Sequence, residues 1–317
     1  MPRTSADLRE PRTRRHPLRG ATPGTGPAVH SGVSRGTLGE LFQGPHWEAG
    51  IPHISIVSLP VDKFSWCHFT VDPDGTEFDA SALDTRHKAA RAMSLFLDRY
   101  GLTMPPGRMT FHSELPMGKG MASSTADIVA TLRCLFRLFA LPYDQNAVTG
   151  ILGRIERADS VFLDEFALYL SATQRVVRPL GAQVGLYACY IAEEGTVDTE
   201  AAGPTLLAHY SRLREAYRDC VDDLVAAFAR SDATAVAAAA TRSATLSQGV
   251  IPKRAFDMLR DHRAELRADG LFVAHTGTVI GYLFRRRPDQ QAHAELSEFF
   301  LGLGHQCQFS QVGWGHV

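Results

Sequence analysis

A chain of 317 residues, 44% hydrophobic and 21% charged, is long enough for two domains, and it contains no unbroken apolar run of about 18 residues such as a spanning helix requires. A formal net charge of −1 removes the electrostatic case for binding nucleic acid or a membrane surface. Five cysteines (Cys67, Cys134, Cys189, Cys220, Cys307), odd in number and lacking a Cys-x-x-Cys, indicate neither a disulfide framework nor a zinc site; they fit buried small apolar residues of a cytoplasmic chain.

Residues 1–30 are rich in Arg, Pro, Thr and Gly, lack apolar periodicity, and are expected to be disordered because they cannot bury enough surface to offset the entropy of ordering. The Arg-rich start has the composition of a transit peptide, but Asp7, Glu10 and several prolines interrupt an amphipathic helix; an over-long start is an equal reading. Next, Gly36-Thr37-Leu38-Gly39-Glu40-Leu41-Phe42-Gln43-Gly44 reads as a glycine-bounded turn near the first strands. Residues 54–61, 64–71 and 108–113 read as strands, and 84–100 as a helix with Ala89, Ala90, Met93, Leu95 and Leu97 on one face. Residues 124–139 form a helix apolar around much of its circumference, which implies burial between layers. A second helix is expected over 145–158, entered through the Pro142-Tyr143-Asp144 turn. Residues 185–191 read as a strand, 206–229, 233–248 and 252–268 as helices, and 271–275, 278–284 and 306–312 as strands. Strands and helices mixed in two runs predict a two-domain α+β protein, residues 31–182 and 183–317.

The segment Glu114-Leu115-Pro116-Met117-Gly118-Lys119-Gly120-Met121-Ala122-Ser123-Ser124-Thr125-Ala126-Asp127 joins a glycine loop to a helix start. Gly118 and Gly120 let the backbone turn and approach a ligand, and Ser123, Ser124 and Thr125 supply hydroxyls where the first helical N–H groups are unpaired. The helix dipole favours an anion at that end. A Walker loop needs four residues between its first glycine and Gly-Lys-Ser/Thr, and the dinucleotide fingerprint needs glycine at position 123; neither pattern fits. Lys119 stands inside the loop, either as a phosphate contact or as a solvated lysine.

The pattern Pro-x-Gly-x-Gly-x-x-Ser-Ser-x-Ala resembles the central motif of the GHMP kinases, and Gly39-Glu40-Leu41-Phe42-Gln43-Gly44 is similar to a signature of the bacterial L-threonine kinases of the cobalamin pathway. Val273-Ala274-His275-Thr276-Gly277-Thr278-Val279-Ile280-Gly281 resembles the third GHMP motif, which closes over the site, and the family's first-block cysteine is replaced by Leu38. The resemblance implies a two-domain GHMP kinase fold: an N-terminal nucleotide-binding domain like ribosomal protein S5 domain 2, a ferredoxin-like C-terminal domain, and an active site between them. It implies ATP cradled by Pro116, Gly118, Lys119, Gly120, Met121, Ala122, Ser123, Ser124 and Thr125, and an acceptor held by Glu40, Gln43, Thr276, Gly277 and Thr278.

A phosphoryl-transfer site also needs a divalent cation and a group that orients or deprotonates the acceptor hydroxyl. Ser124 and Glu156 are candidate Mg²⁺ ligands, since a hard cation takes oxygen donors and family members pair the motif serine with a downstream glutamate. Asp159 is the candidate base or orienting group in Ile155-Glu156-Arg157-Ala158-Asp159-Ser160, which resembles the Glu-Pro-Thr-Asp-Ser segment of threonine kinases. Glu156 and Asp159 share a face if the helix persists; the alternative is a solvated helix end pairing with Arg154 and Arg157. His275, in an apolar run, reads as a satisfied structural histidine, and Trp47, Trp66 and Trp314 as packing residues. The expected activity is ATP-dependent phosphorylation of the side-chain hydroxyl of threonine or a close hydroxy amino acid. Kinases of homoserine or another amino alcohol, and a non-catalytic nucleotide binder, are the alternatives.

Overall fold

The computed structural model describes residues 28–195 and 203–315. Strand β1 (Val29–Glu48) and strand β2 (Ile51–Val71) form a long antiparallel hairpin closed at Ala49-Gly50. Two features read from sequence as breaks lie inside it. The Gly36 to Gly44 stretch is a buried part of β1, with no reversal of the chain, and Asp62-Lys63 do not end β2. The register steps from Arg35↔Phe64 to Gly36↔Val61, so the two extra residues are absorbed as a bulge. Pro60 sits beside that irregularity, where a missing ladder donor is tolerated.

After β3 (Phe78–Asp79) and a short 3-10 turn, helix α1 (His87–Tyr100) leads to β4 (Gly107–Ser113), which pairs antiparallel with β2. Helix α2 (Ser123–Leu138) lies across β1 and β2 so closely that a Cβ at Gly32 would strike the Ala130 carbonyl. Its Ile128, Val129, Leu132, Leu135 and Phe136 are buried on several sides, as its composition predicts. Helix α3 (Gln145–Leu152) is capped by Asp144, whose side chain accepts from the Asn146 and Ala147 N–H groups. The expected continuation to residue 158 does not form: the chain turns at Gly153, and Glu156 lies beyond the helix. Strands β5 (Phe166–Leu170) and β6 (Arg175–Gly181) follow as a hairpin.

The second half begins with β7 (Gly185–Ala192). The helix expected over 206–229 is two, α4 (Gly203–Arg212) and α5 (Arg214–Ala229), followed by α6 (Ala233–Ser247) and a short α7 (Phe256–His262) in place of the longer one expected over 252–268. Then come β8 (Gly270–Val273), β9 (Val279–Phe284), α8 (Gln290–Gly302) and β10 (Gln308–Gly313). The strand order β8-β9-β7-β10, all neighbours antiparallel, is ferredoxin-like. This sheet continues into the first half, where β1 meets β8 at Glu40↔Val273 and β10 meets β2 at Val312↔Val61. Residues 1–27 of the tail expected to be disordered lie outside the described residues. Residues 28–30 do not belong to such a tail: Ala28 accepts from the Val71 N–H at 3.0 Å, and Val29 opens β1.

Candidate active site

The glycine loop ends as its sequence suggests. Gly118 (φ 73°), Gly120 (φ 81°) and Ala122 (φ 54°) are left-handed, and α2 starts at Ser123 with no side chain capping its first N–H groups. Glycine is required at 120 for a second reason. A Cβ there would lie 2.7 Å from the Ala274 Cβ and 2.7 Å from the Gly277 Cα, because the β8–β9 turn rests directly on the loop. Two main-chain bonds fix the loop between neighbours: Thr37 N–H donates to the Met121 carbonyl (3.1 Å) and Thr278 N–H to the Lys119 carbonyl (3.0 Å). The Lys119 ammonium donates to the carbonyls of Glu193 (3.1 Å) and Gly195 (3.3 Å), so in this structure it braces the loop against the end of β7.

Glu156 faces the start of α2. Its Oε2 accepts from Ser124 Oγ (3.0 Å) and Lys88 Nζ (2.6 Å), its Oε1 accepts from Thr125 Oγ1 (2.6 Å), and its side chain is only 6% exposed. The expected pairing with Ser124 is therefore present, although no shared helix produces it. The chain beyond Gly153 is instead held by the Gln174 amide, which donates to the Glu156 carbonyl (3.3 Å), and by the Ala158 N–H donating to the Ser171 carbonyl (3.1 Å). Arg154 and Arg157 do not pair with either carboxylate among the described ion pairs.

Asp159 is partly buried and accepts from Ser58 Oγ of β2 at 3.0 Å. Burial, together with the nearby Glu40 and Glu156 charges, pushes its carboxyl up to about 7, against the opposing pull of the Ser58 hydrogen bond and Arg157. Glu40, beside the Gly39 bulge of β1, directs Oε2 at both the backbone N–H (2.9 Å) and Nδ1 (3.0 Å) of His275. His275 Nε2 meets Ser243 Oγ at 2.9 Å, so the histidine is a satisfied buried link, as its apolar surroundings suggest. Gln43 is also buried: its side-chain amide donates to the Tyr210 hydroxyl (2.8 Å), and its backbone N–H donates to Ser243 Oγ (3.3 Å). The two substrate candidates of β1 thus form one polar network with α4, α6 and the β8–β9 turn. Thr276, Gly277 and Thr278 make up that turn, with Thr278 buried.

Sequence reasoning missed several residues here. A cavity of about 260 Å³ opens beside Gly118 and Ser124 and is lined also by Thr85, Arg86 and Lys88 at the start of α1. Its wall includes Asp127, which accepts from Ser65 Oγ and from Arg86 Nε (3.1 Å). Lys253 is the second omission: it is 6% exposed, and its ammonium donates to the Gly277 carbonyl at 2.8 Å. Only the count of lysines hinted at these roles: there are four in the chain, Lys63, Lys88, Lys119 and Lys253, and three of them end at this site.

Residues 87–170, from the start of α1 to the end of β5, match the family described as GHMP kinases N terminal domain. The L. major mevalonate kinase structure determined with R-mevalonate superposes with a TM-score of 0.67 at 15% identity, covering 95% of this chain and 99% of that one. A homoserine kinase from Cytophaga hutchinsonii gives 0.63 at 15% identity, over 90% of this chain and 96% of that one. Residues 87–170 thus match the N-terminal domain of the GHMP kinases, and the whole chain shares the fold of these two solved kinases. In sequence the chain is similar to the L-threonine kinase of Salmonella typhimurium, 28% identical over 263 residues, 79% of this chain and 81% of the relative. A homoserine kinase from Deinococcus radiodurans is 35% identical over 86 residues, 27% of this chain and 28% of that protein. Among the described residues no helix is long and apolar enough to cross a membrane.

Proposed function

We propose that this chain transfers the γ-phosphoryl group of ATP to the side-chain hydroxyl of L-threonine or a closely related hydroxy amino acid. The observation that carries the reading is a pair of acidic groups, Glu40 and Asp159, at one site: burial, and after it the Glu40 charge, hold the Asp159 proton well above the ordinary range. An ammonium group between them relieves that repulsion, and an amino-acid acceptor brings one. An acceptor carrying only a carboxylate near this pair would meet like charge.

In this reading the nucleotide phosphates lie over residues 116–125, against the unpaired N–H groups of the first turn of α2 and beside the cavity at Lys88. The donor set suits a hard divalent cation. Ser124 and Glu156 are both oxygen donors 3.0 Å apart, and among the described residues no cluster of three or more His, Cys, Asp or Glu forms a closed cage, so the remaining coordination falls to phosphate and water. Mg²⁺ held there would neutralise charge on the phosphates. Lys88 donates to the same Glu156 oxygen that accepts from Ser124 and so holds the carboxylate aimed at it. Asp159 accepts the hydrogen of the acceptor hydroxyl and points its oxygen at the phosphoryl group, while Ser58 fixes the carboxylate. An ammonium beside Asp159 lowers its proton affinity, so the acceptor itself converts Asp159 to its accepting form. The division between residues 31–182 and 183–317 is, on this view, that between the nucleotide half and the half supplying the β8–β9 turn.

ADP release measured with L-threonine, D-threonine, L-serine, L-homoserine, ethanolamine and R-mevalonate tests the proposal, with phosphorylated product identified by mass spectrometry. L-Threonine or L-serine should give the highest kcat/KM. Highest turnover on homoserine would move the assignment to that acceptor, and turnover only on R-mevalonate would refute the amino-acid reading.

A further inference from the structure

We propose that Lys253 is a positioning residue, a buried latch that holds the Thr276 to Thr278 turn on the phosphate loop. The contacts around it form a closed ring. Thr278 N–H donates to the Lys119 carbonyl (3.0 Å), Glu193 N–H to the Thr278 carbonyl (3.0 Å), and the Lys119 ammonium returns to the Glu193 carbonyl (3.1 Å). Lys253 adds a further strut, donating to the Gly277 carbonyl at 2.8 Å. The stretch that carries it is anchored to the same ring, since the Ala255 N–H donates to Glu193 Oε1 (2.8 Å) and the Lys253 N–H to Gln248 Oε1 (2.7 Å).

Without that strut the ring holds Gly277 weakly. Gly277 has no side chain to anchor it, its backbone rides on Gly120, and its N–H donates within the turn to the Ala274 carbonyl (3.1 Å), so the Lys253 ammonium is the side-chain donor that reaches its carbonyl. Among the described residues the Lys253 ammonium has no carboxylate within 4.0 Å, so nothing competes for it as a salt bridge. Burial lowers its pKa to about 8, with the nearby Glu193 and Glu40 charges pulling the other way. A point donor on a flexible stem suits a slot with one carbonyl, whereas the five N–H groups of arginine would leave donors unpaired in a buried site. A chain with four lysines among its 33 basic residues places one of them here.

Hydrogen exchange on the ligand-free protein tests the latch without any assumption about substrate. Lys253→Met keeps the stem and removes the donor. Exchange at the Gly277 and Thr278 amides should rise about ten- to a hundredfold, the range for losing a charged hydrogen bond, while core amides of β9 and α8 keep wild-type rates. Lys253→Gln, a shorter neutral donor, should fall between the two proteins and serves alone if the Met variant does not fold. Wild-type exchange at the turn in the folded variant, or an equal rise through β9 and α8, overturns the proposal. The kinetic consequence rests on the reading of residues 116–125 as the nucleotide site: the folded variant should bind ATP several-fold more weakly. Failure of wild-type protein to bind ATP would refute that site reading and leave the exchange result standing.

Discussion

Replacing Asp159 with Asn should make the protein a poorer enzyme and a more stable one above neutral pH. Its carboxyl is raised from the ordinary 3.8 to about 7, chiefly by burial and by Glu40. A carboxyl whose folded value exceeds its unfolded one binds its proton more tightly in the native state. It therefore contributes stability at pH below about 4 that is lost as pH rises through about 7, where the ionised group becomes a net cost. A carboxyl moved from 3.8 to about 7 sets a ceiling of ~4 kcal/mol. The carboxyl is only partly buried and keeps its Ser58 hydrogen bond, which leaves a cost of roughly 1–2 kcal/mol after screening. The neutral amide of Asn can accept the same Ser58 bond without that cost. At about pH 8 the variant should melt roughly 2–5 °C above wild type, and the gap should shrink as pH falls towards about 5. Turnover should fall by about 10²–10⁴, the usual contribution of a general acid–base group. Thermal unfolding and initial rates on the same preparations settle it. A variant that melts below wild type at alkaline pH, or that turns over normally, would refute the reasoning.

Glu156→Gln should raise the Mg²⁺ concentration needed for half-maximal rate and cut turnover, since an amide is a weaker donor to a hard cation; an unchanged metal titration would make Glu156 a structural acceptor for Ser124 and Thr125 only. In Gly120→Ala the new Cβ would meet Ala274 and Gly277 at 2.7 Å in a left-handed backbone, so ATP affinity should fall about tenfold or more, as seen by nucleotide titration. Glu40→Gln removes a charge that raises Asp159, so the acid limb of the kcat/KM profile should move to lower pH while KM for the acceptor rises.

The phosphate loop was legible because its chemistry is local. Two glycines with positive φ and a helix start fall within a few residues, and no distant contact is needed to see them. The pairing of Ser124 with Glu156 was legible only through family resemblance; the helix that was to bring Glu156 and Asp159 together stops at Leu152, and side chains of β2 and the β5–β6 turn hold them. Lys253, Lys88 and Arg86 act through contacts 24, 68 and 41 residues away, and no pattern along the chain reports such distances. The bulge at Asp62-Lys63 is hidden for the same reason, since a register step belongs to the pair of strands and to neither alone. Helix α8 buries only Leu296 and Phe300, too sparse a stripe to show as periodicity. Strand β5 is buried at all five positions and so lacks the alternation that marks a half-exposed strand.

The place of β10 bears on how the chain reaches this structure during synthesis. Its residues fill the gap between β7 and β2, touching Val61 through Val312, about 250 positions later in the chain. A nascent chain that has already formed β7 must keep the edge of that strand facing away from β9 unpaired until β10 emerges, and an open strand edge of that kind attracts other chains. Contacts so distant along the sequence form slowly. The chain should therefore acquire protease resistance in a late step, and ribosome-bound intermediates ending before residue 308 should be the species most in need of chaperones.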